Sequence, residues 1–505
     1  MFNKKNNTGS AITILILGVF LTIFFLTTEA QSLDLERKVI REKLKNGLTV
    51  LMLERHISPT VSLYIRHRVG AVDETAGQTG AAHLLEHMMF KGTKTIGTKD
   101  FAAEKKILDK VNQTSLALDK EKQKGKKANQ AKIKKFTARL KILQEQHKKY
   151  FIPNEIDRLY TENGGLDMNA STGQDVTTYQ VSLPANKIEL WARIEADRTI
   201  NTVFREFYTE RDVVMEEWRQ RIEVDPSGKL YEQFVATAFK SHPYRRPVIG
   251  WKEDIEKLDI SAINKYYQRY KSPQTTVIAV VGSINPEETL KLIEKYFGNI
   301  PPVQTEKQLI APEPQQNGLR RVNVEFDANP MMIIGFHKPA APAYDDYVFD
   351  VLETILTKGR SSRLYNLMIN EMQVAQSISA INGTPGTLYS NLFAIFARPR
   401  QPHGNDKLEE IIWQEIEKLK SEPVSEMELA KAKNRMKMDF ISGFDSNSEM
   451  ASILSYYEVL LGDFNYFSNY LGMIDKITSA DIQNAVKKYF TRENMTIATL
   501  SRKKK

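Results

Sequence analysis

Hydrophobic positions along the chain fall into two rhythms. Val61, Leu63 and Ile65 alternate with polar or amphipathic neighbours, the period of a strand with one face turned inward. Residues 277–281, 331–336 and 392–396 are short continuous apolar runs, the pattern of strands covered on both faces. Between them, residues 185–199 (just after Pro184) and 206–222 repeat apolar residues at helical spacing. Strands and helices mix along the chain, so the predicted class is α+β, with sheets packed against helices.

The same pattern divides the chain. Residues 301–318 hold four prolines and several glutamines with little periodicity, which predicts a linker. It separates a first domain, 31–300, from a second, 319–505. The two look related. Displaced by 219 residues, 255–279 meets 474–498, and Ile255, Lys257, Ile263, Tyr270, Ile278 and Ala279 fall on Ile474, Lys476, Ile482, Tyr489, Ile497 and Ala498. Both stretches read as helix, turn, strand, so a duplicated domain is expected.

One segment fits neither half. Residues 101–155 are rich in Lys, Gln and Ala. Ile107, Leu108 and Val111 form one apolar stripe, Ile133, Phe136, Leu140 and Leu143 a second, and Gly125 interrupts between them. This predicts a helical hairpin of coiled-coil character inserted in the first domain. It also explains the charge. The 505 residues carry a net +9, but residues 101–150 alone hold 15 Lys and Arg against 5 Asp and Glu, leaving the rest nearly neutral. Basicity confined to one arm argues against a nucleic-acid-binding protein. The arm reads either as a solvated spacer or as a docking element for an acidic partner or membrane surface.

At the N-terminus, Lys4 and Lys5 precede an apolar stretch of 16 residues, 11–26, followed by Thr28-Glu29-Ala30. That is shorter than the roughly 20 residues of a membrane span and fits a signal peptide over residues 1–30, with an uncleaved anchor as the rival. The expectation is a secreted protein, periplasmic in a cell with two membranes, with no stable membrane span once the signal is removed. There is no cysteine, so disulfides, thiolate metal sites and Cys nucleophiles are excluded. A transition-metal site must be built from His, Asp and Glu.

Such a site is visible in His83-Leu84-Leu85-Glu86-His87. Positions i, i+3 and i+4 share a helix face, so two imidazoles one turn apart can hold one metal ion, with Glu86 beside them. This is the H-x-x-E-H arrangement. With eight histidines in the chain, chance gives on the order of 0.01 such strings. An open catalytic site needs a third protein ligand. Candidates lie in 210–217 (ERDVVMEE), where Glu210 and Glu217 share a helical face, Glu216 is a rival, and Val213 and Val214 are expected to pack the helix inward.

The chain resembles the pitrilysin/insulinase family of zinc metallopeptidases, especially its bacterial members related to the mitochondrial processing peptidase. The resemblance is carried by GAAHLLEHMMFKGT (80–93), GGLDMNASTGQDVTTY (164–179), Glu195-Ala196-Asp197-Arg198, ERDVVMEEWR (210–219), HPYRRPVIG (242–250) and RSSRLY (360–365). It implies two homologous α+β domains facing each other around a chamber. It implies one Zn2+ per chain held by His83, His87 and Glu217, with Glu86 as general base and Glu210 supporting the ligands from behind. Asn169 and Ala170 match residues at a strand edge that hold substrate backbone; without the family they read as a turn after Gly164-Gly165. The implied activity is endopeptidase cleavage of peptides or unfolded protein segments.

The second half departs from the family. An Arg followed seven residues later by a Tyr usually reaches substrate there, and the aligned positions are Ile369 and Gln376. The second half carries no metal motif either. The expectation is a heterodimer in which a paralogous chain supplies the Arg/Tyr pair; a self-sufficient peptidase, perhaps a homodimer, and a non-catalytic binding or assembly subunit are the alternatives.

Overall fold

The apolar runs become the central strands of two sheets in the computed structural model, which describes residues 38–303 and 309–502. The proposed signal segment lies outside the described residues. The first sheet is built from β1 (Ile40–Lys43), β2 (Thr49–Glu54), β3 (Thr60–His67), β4 (Leu166–Thr172), β5 (Thr177–Pro184) and β6 (Thr276–Gly282), in the order β1-β2-β6-β3-β5-β4. β2 and β6 run parallel and the other neighbours antiparallel. The helices threaded between these strands include α1 (Ala81–Met88), α2 (Phe101–Lys122), α3 (Gln130–His147), α4 (Glu155–Glu162), α5 (Ile188–Asn201), α6 (Phe207–Trp218), α7 (Pro226–Ala238) and α8 (Ile260–Tyr270).

The second sheet repeats the plan. β7 (Arg320–Phe326), β8 (Met331–Lys338), β9 (Ala375–Thr384), β10 (Asn391–Pro399) and β11 (Met495–Arg502) lie in the order β7-β11-β8-β10-β9, and β11 is parallel to β7 as β6 is to β2. Its helices include α9 (Tyr344–Thr357), α10 (Asn447–Leu461) and α11 (Ser479–Tyr489). The offset of 219 residues carries α8 onto α11 end for end, and the first residue of β6 onto the first of β11. The two domains are therefore homologous, as the internal repeat implied.

The alternation in β3 is only half of its environment. Ser62, Tyr64 and Arg66, the face predicted to be wetter, are buried as well. Helix α10 of the second half covers that face. Met450, Ala451 and Leu454 pack on Leu51, Leu53, Tyr64, Ala279 and Val281. The exchange is reciprocal: α7 of the first half lays Leu230, Phe234, Val235 and Ala238 on Met331, Ile333, Leu392 and Ala394 of the second sheet. Gly335 is needed there, because a Cβ at that position would lie 2.5 Å from Phe234 Cζ. Arg66 crosses the first of these contacts, donating to Ser455 Oγ (2.9 Å), Ser452 Oγ (2.8 Å) and Thr178 Oγ1 (3.1 Å).

The insertion is a two-helix hairpin, α2 and α3, turned at Gly125, whose φ of 56° is the left-handed geometry glycine accepts. Leu108, Val111, Leu118 and Leu143 are buried between the helices or at their base. The base is tied down by Glu104, which is fully buried between Arg205 and His147. Of the linker, residues 304–308 lie outside the described residues. Its described part is anchored: the Glu313 carboxylate accepts the backbone N–H groups of Lys240, Ser241 and His242.

Candidate functional site

The string HLLEH lies on α1, as its spacing predicted. The helix starts at Gly80, whose φ of 87° and whose approach to Ile249 (2.6 Å from a would-be Cβ to the carbonyl oxygen) exclude a side chain. Its first turn is held by Glu74, a fully buried carboxyl that accepts the Ala82 N–H at 2.8 Å. Burial pushes the Glu74 pKa up to about 8.

α6 runs beside α1 and brings the distal acids to it. The imidazoles of His83 and His87 stand 4.8 Å apart between ring centres, inclined at 73°. Their Nε2 atoms converge on one carboxylate oxygen, Glu217 Oε2, at 3.6 and 3.5 Å. The three side chains each place one ligand atom within 4.8 Å of the other two. The other Glu217 oxygen is held by Arg221 at 2.6 Å. Behind His87, its Nδ1 lies 3.4 Å from Glu210 Oε2, while Lys91 pairs with Glu210 Oε1. Glu216 takes no part: it is half-exposed and paired with Arg219 at 2.6 Å. Val213 is a second correction. Only Val214 packs inward, and Val213 is 47% exposed, because the buried stripe of α6 is Phe207, Arg211, Val214 and Trp218.

The charges sort themselves by environment. Burial drives the His83 pKa down to about 4, against the pull of Glu217, so this imidazole is neutral. Burial also disfavours charge on His87, but the hydrogen bonds to Glu210 and Glu217 outweigh it and raise its pKa to about 9. The His87 hydrogen bond is the main influence that lowers the Glu217 pKa. His87 thus stands between two carboxylates, Glu210 and Glu217, that favour positive charge. Two imidazole nitrogens and a carboxylate oxygen converging on a spot that already favours positive charge form a donor set that fits a zinc ion. His83 Nδ1 is buried with no hydrogen-bond partner among the described residues.

Glu86 faces the same space from α1. Desolvation raises its pKa, opposed by the Thr172 hydroxyl, which donates to Glu86 Oε2 at 2.5 Å. Thr172 is the last residue of β4, the edge strand of the first sheet. Asn169 and Ala170 belong to that strand rather than to a turn, paired with Gln180 and Tyr179. Among the described residues no strand pairs with the outer edge of β4. A register shift between Leu166 and Asn169, with Asp167 at φ 54°, bends the strand just before them. The Asn169 side chain accepts the Ala170 N–H at 2.9 Å.

In the second domain, Ile369 is half-buried against the core and Gln376 is exposed near the start of β9. Neither position offers a cation or a phenol. Sequence reading missed Lys91, Arg221, Thr172 and Glu74. Arg221 had a signal, being four residues after Glu217 on a helical pattern. Lys91 stands one turn after His87 and carried the same one. Thr172 and Glu74 reach the site through the fold and had none.

Known proteins resemble this chain in sequence and fold. The family model described as insulinase (peptidase family M16) matches residues 49–138 and 141–252, and that described as the peptidase M16 inactive domain matches 257–436. The chain is 27% identical over 467 residues to a protein of Helicobacter pylori named zinc protease PqqE, covering 90% of this chain and 91% of that one. The crystal structure of a protease from Helicobacter pylori superposes with a TM-score of 0.76 at 25% identity, over 92% of this chain and 99% of that one. The periplasmic protease PqqL from Escherichia coli shares the fold, with a TM-score of 0.68 at 17% identity, over 92% of this chain and 47% of that one.

Proposed function

Because this chain belongs to the insulinase family of zinc-protease-like proteins, peptidase family M16, we propose that it is a zinc-dependent endopeptidase acting on peptides or unfolded protein segments. The observation that carries this reading is the convergence of His83 Nε2 and His87 Nε2 on Glu217 Oε2, with the Glu86 carboxylate facing the same space. His83, His87 and Glu217 would hold one Zn2+ per chain. Glu210 orients His87 through Nδ1 and keeps its ligating nitrogen aimed forward.

When bound, zinc would polarise the scissile carbonyl and acidify a water molecule. The chain's own residues do the rest. Glu86, its basicity raised by burial, takes a proton from the attacking water and hands it to the leaving nitrogen. Thr172 fixes which carboxylate oxygen is free for this work. The outer edge of β4 at Asn169 and Ala170 offers main-chain hydrogen bonds to an extended substrate, which favours unfolded segments over folded proteins.

The absence of an Arg/Tyr pair at Ile369 and Gln376 supports a two-chain enzyme in which a paralogous subunit contributes those groups. A self-sufficient peptidase that works without that pair, for example as a homodimer, is the alternative. The same absence favours one second reading, a non-catalytic binding or assembly subunit that retains the metal site. Lys4 and Lys5, the apolar stretch and Thr28-Glu29-Ala30 support export, to the periplasm in a cell with two membranes. Among the described residues no helix is long and apolar enough to cross a membrane.

The test is hydrolysis of a mixture of unfolded peptides by the purified chain, with bound metal quantified in the same sample. Near one zinc per chain, with cleavage abolished and zinc retained in Glu86→Gln, is the expected result for a self-sufficient enzyme. Zinc without cleavage until a paralogous chain is added identifies the two-chain enzyme. Full activity of Glu86→Gln removes the mechanism, and folded protein without zinc or cleavage leaves the binding subunit.

A further inference from the structure

The inward stripe of α6 contains a charge where its spacing calls for an apolar residue. Phe207, Arg211, Val214 and Trp218 fall at i, i+4, i+7 and i+11, and all four are buried. The Arg211 guanidinium donates to the Leu258 carbonyl at 3.0 Å and to both carboxylate oxygens of Asp119, with Nη2 to Oδ1 at 2.9 Å. It also lies 5.1 Å from the centre of the Tyr208 ring. Asp119 belongs to α2, the first helix of the inserted hairpin.

A second contact of the same kind lies just before α6. Arg205, with no exposed surface, forks onto Glu104 of α2 at 2.6 and 3.0 Å. Glu104 also bonds His147 of α3 at 2.7 Å. The same guanidinium donates to the Thr93 carbonyl at 2.7 Å and the Lys91 carbonyl at 3.1 Å, in the segment that leaves α1. The hairpin therefore grips the metal-site region at two buried arginines, one between the helices and one on α6 itself.

We propose that the insertion sets the rotation of α6 about its own axis, with Asp119 acting through Arg211 as a positioning residue for Glu217 and Glu210. This rests on the reading of His83, His87 and Glu217 as a zinc site. The geometry makes rotation the sensitive coordinate. Glu210 and Glu217 share a face about 100° around the helix from Arg211. With side-chain atoms some 5–6 Å from the axis, a roll of about 10° moves the Glu217 carboxylate by about 1 Å. Metal–ligand bonds tolerate roughly 0.2 Å. Apolar packing resists such a roll softly, whereas a two-pronged Arg–carboxylate pair is directional. Without Asp119 the guanidinium is a buried, uncompensated charge that turns toward solvent and takes the helix with it.

The experiment measures zinc affinity by chelator competition, and kcat and KM in parallel, on the full mature chain. The variants are Asp119→Ala, Asp119→Glu and the paired Asp119→Leu/Arg211→Met, with thermal unfolding recorded for each. Asp119→Ala is expected to weaken zinc binding by about 10–100-fold, the range for groups that orient ligands, and to lower kcat with KM little changed. Asp119→Glu should recover part of both. The paired variant has no orphan charge, so it should regain thermal stability without regaining zinc affinity, and it carries the test if Asp119→Ala does not fold. A purely structural ion pair would instead let the paired variant restore both. Zinc affinity within threefold of the unaltered chain in folded Asp119→Ala or in the folded paired variant overturns the proposal. Failure of the unaltered chain to take up zinc overturns the site reading first, and this inference with it.

Discussion

Thr172 and Glu86 join the two halves of the proposed chemistry: the last residue of the edge strand donates its hydroxyl to the carboxylate on α1, at 2.5 Å. The surface offered to substrate and the proposed general base therefore share one hydrogen bond. Thr172→Val removes a bond to a charged acceptor, a class of interaction that contributes about 1.5–3 kcal/mol. The expected outcome is a fall in kcat of about 10–100-fold with zinc content unchanged, and near-normal turnover for Thr172→Ser. Steady-state kinetics beside metal analysis checks it; an active Thr172→Val variant would uncouple strand and base.

On the strand itself, Asn169 covers the Ala170 N–H with its own side chain. That protects an open edge from other chains, and a substrate must displace it. Asn169→Ala is expected to change KM for extended peptides by about 2–10-fold, the weight of one hydrogen bond, with kcat within a factor of two. A kcat effect larger than the KM effect would place Asn169 in the chemistry rather than in binding.

The hairpin anchor should fail in acid. Burial disfavours the Glu104 carboxylate, yet the hydrogen bonds from His147, Arg205 and Thr98 prevail and hold its pKa at about 2. The folded pKa is below the unfolded value of about 4.5, so the folded state binds fewer protons. The stabilisation is complete above pH 4.5 and is lost as pH falls from there toward 2. Melting temperatures across that range are expected to drop in the unaltered chain. In Glu104→Gln the molecule should be less stable at pH 7, because Arg205 loses its counter-charge, and the drop between pH 4.5 and 2 should be shallower.

Phe234 is a fully buried ring that the first half places on the second sheet, against Gly335. Phe234→Ala is expected to destabilise by about 3–5 kcal/mol. Because the two halves exchange helices, calorimetry should still show both sheets melting in one transition. Two separated transitions in the unaltered chain would contradict the shared core.

What was legible in the sequence is what depends on near neighbours. His83, Glu86 and His87 share a helix face through local spacing, and Glu210 and Glu217 do so through a seven-residue interval. The strands at 277–281 and 331–336 announced themselves because both faces are buried. The duplication was legible because α8 and α11 kept their length and offset. Thr172, Glu74 and Asp119 were not legible, since each reaches its partner through the tertiary fold and no periodicity marks it. The same holds for α7 and α10: an amphipathic stripe states that a helix is covered, not by which sheet. Val213 was misjudged because the buried stripe of α6 runs through Phe207, Arg211, Val214 and Trp218, which leaves Val213 on the side facing solvent.

The exchanged helices also put a clock on this molecule. Leu51, Leu53, Tyr64 and Val281 wait for their cover until residues 447–461 have been made, about 180 residues after β6. At roughly 5–20 residues per second, synthesis leaves that face bare for about 10–40 s. The newborn first half thus carries a wet apolar sheet face while the rest of the chain is being made. That face closes only when the last quarter of the polypeptide arrives, and until then it is open to a chaperone or to the same face of a neighbouring newborn chain.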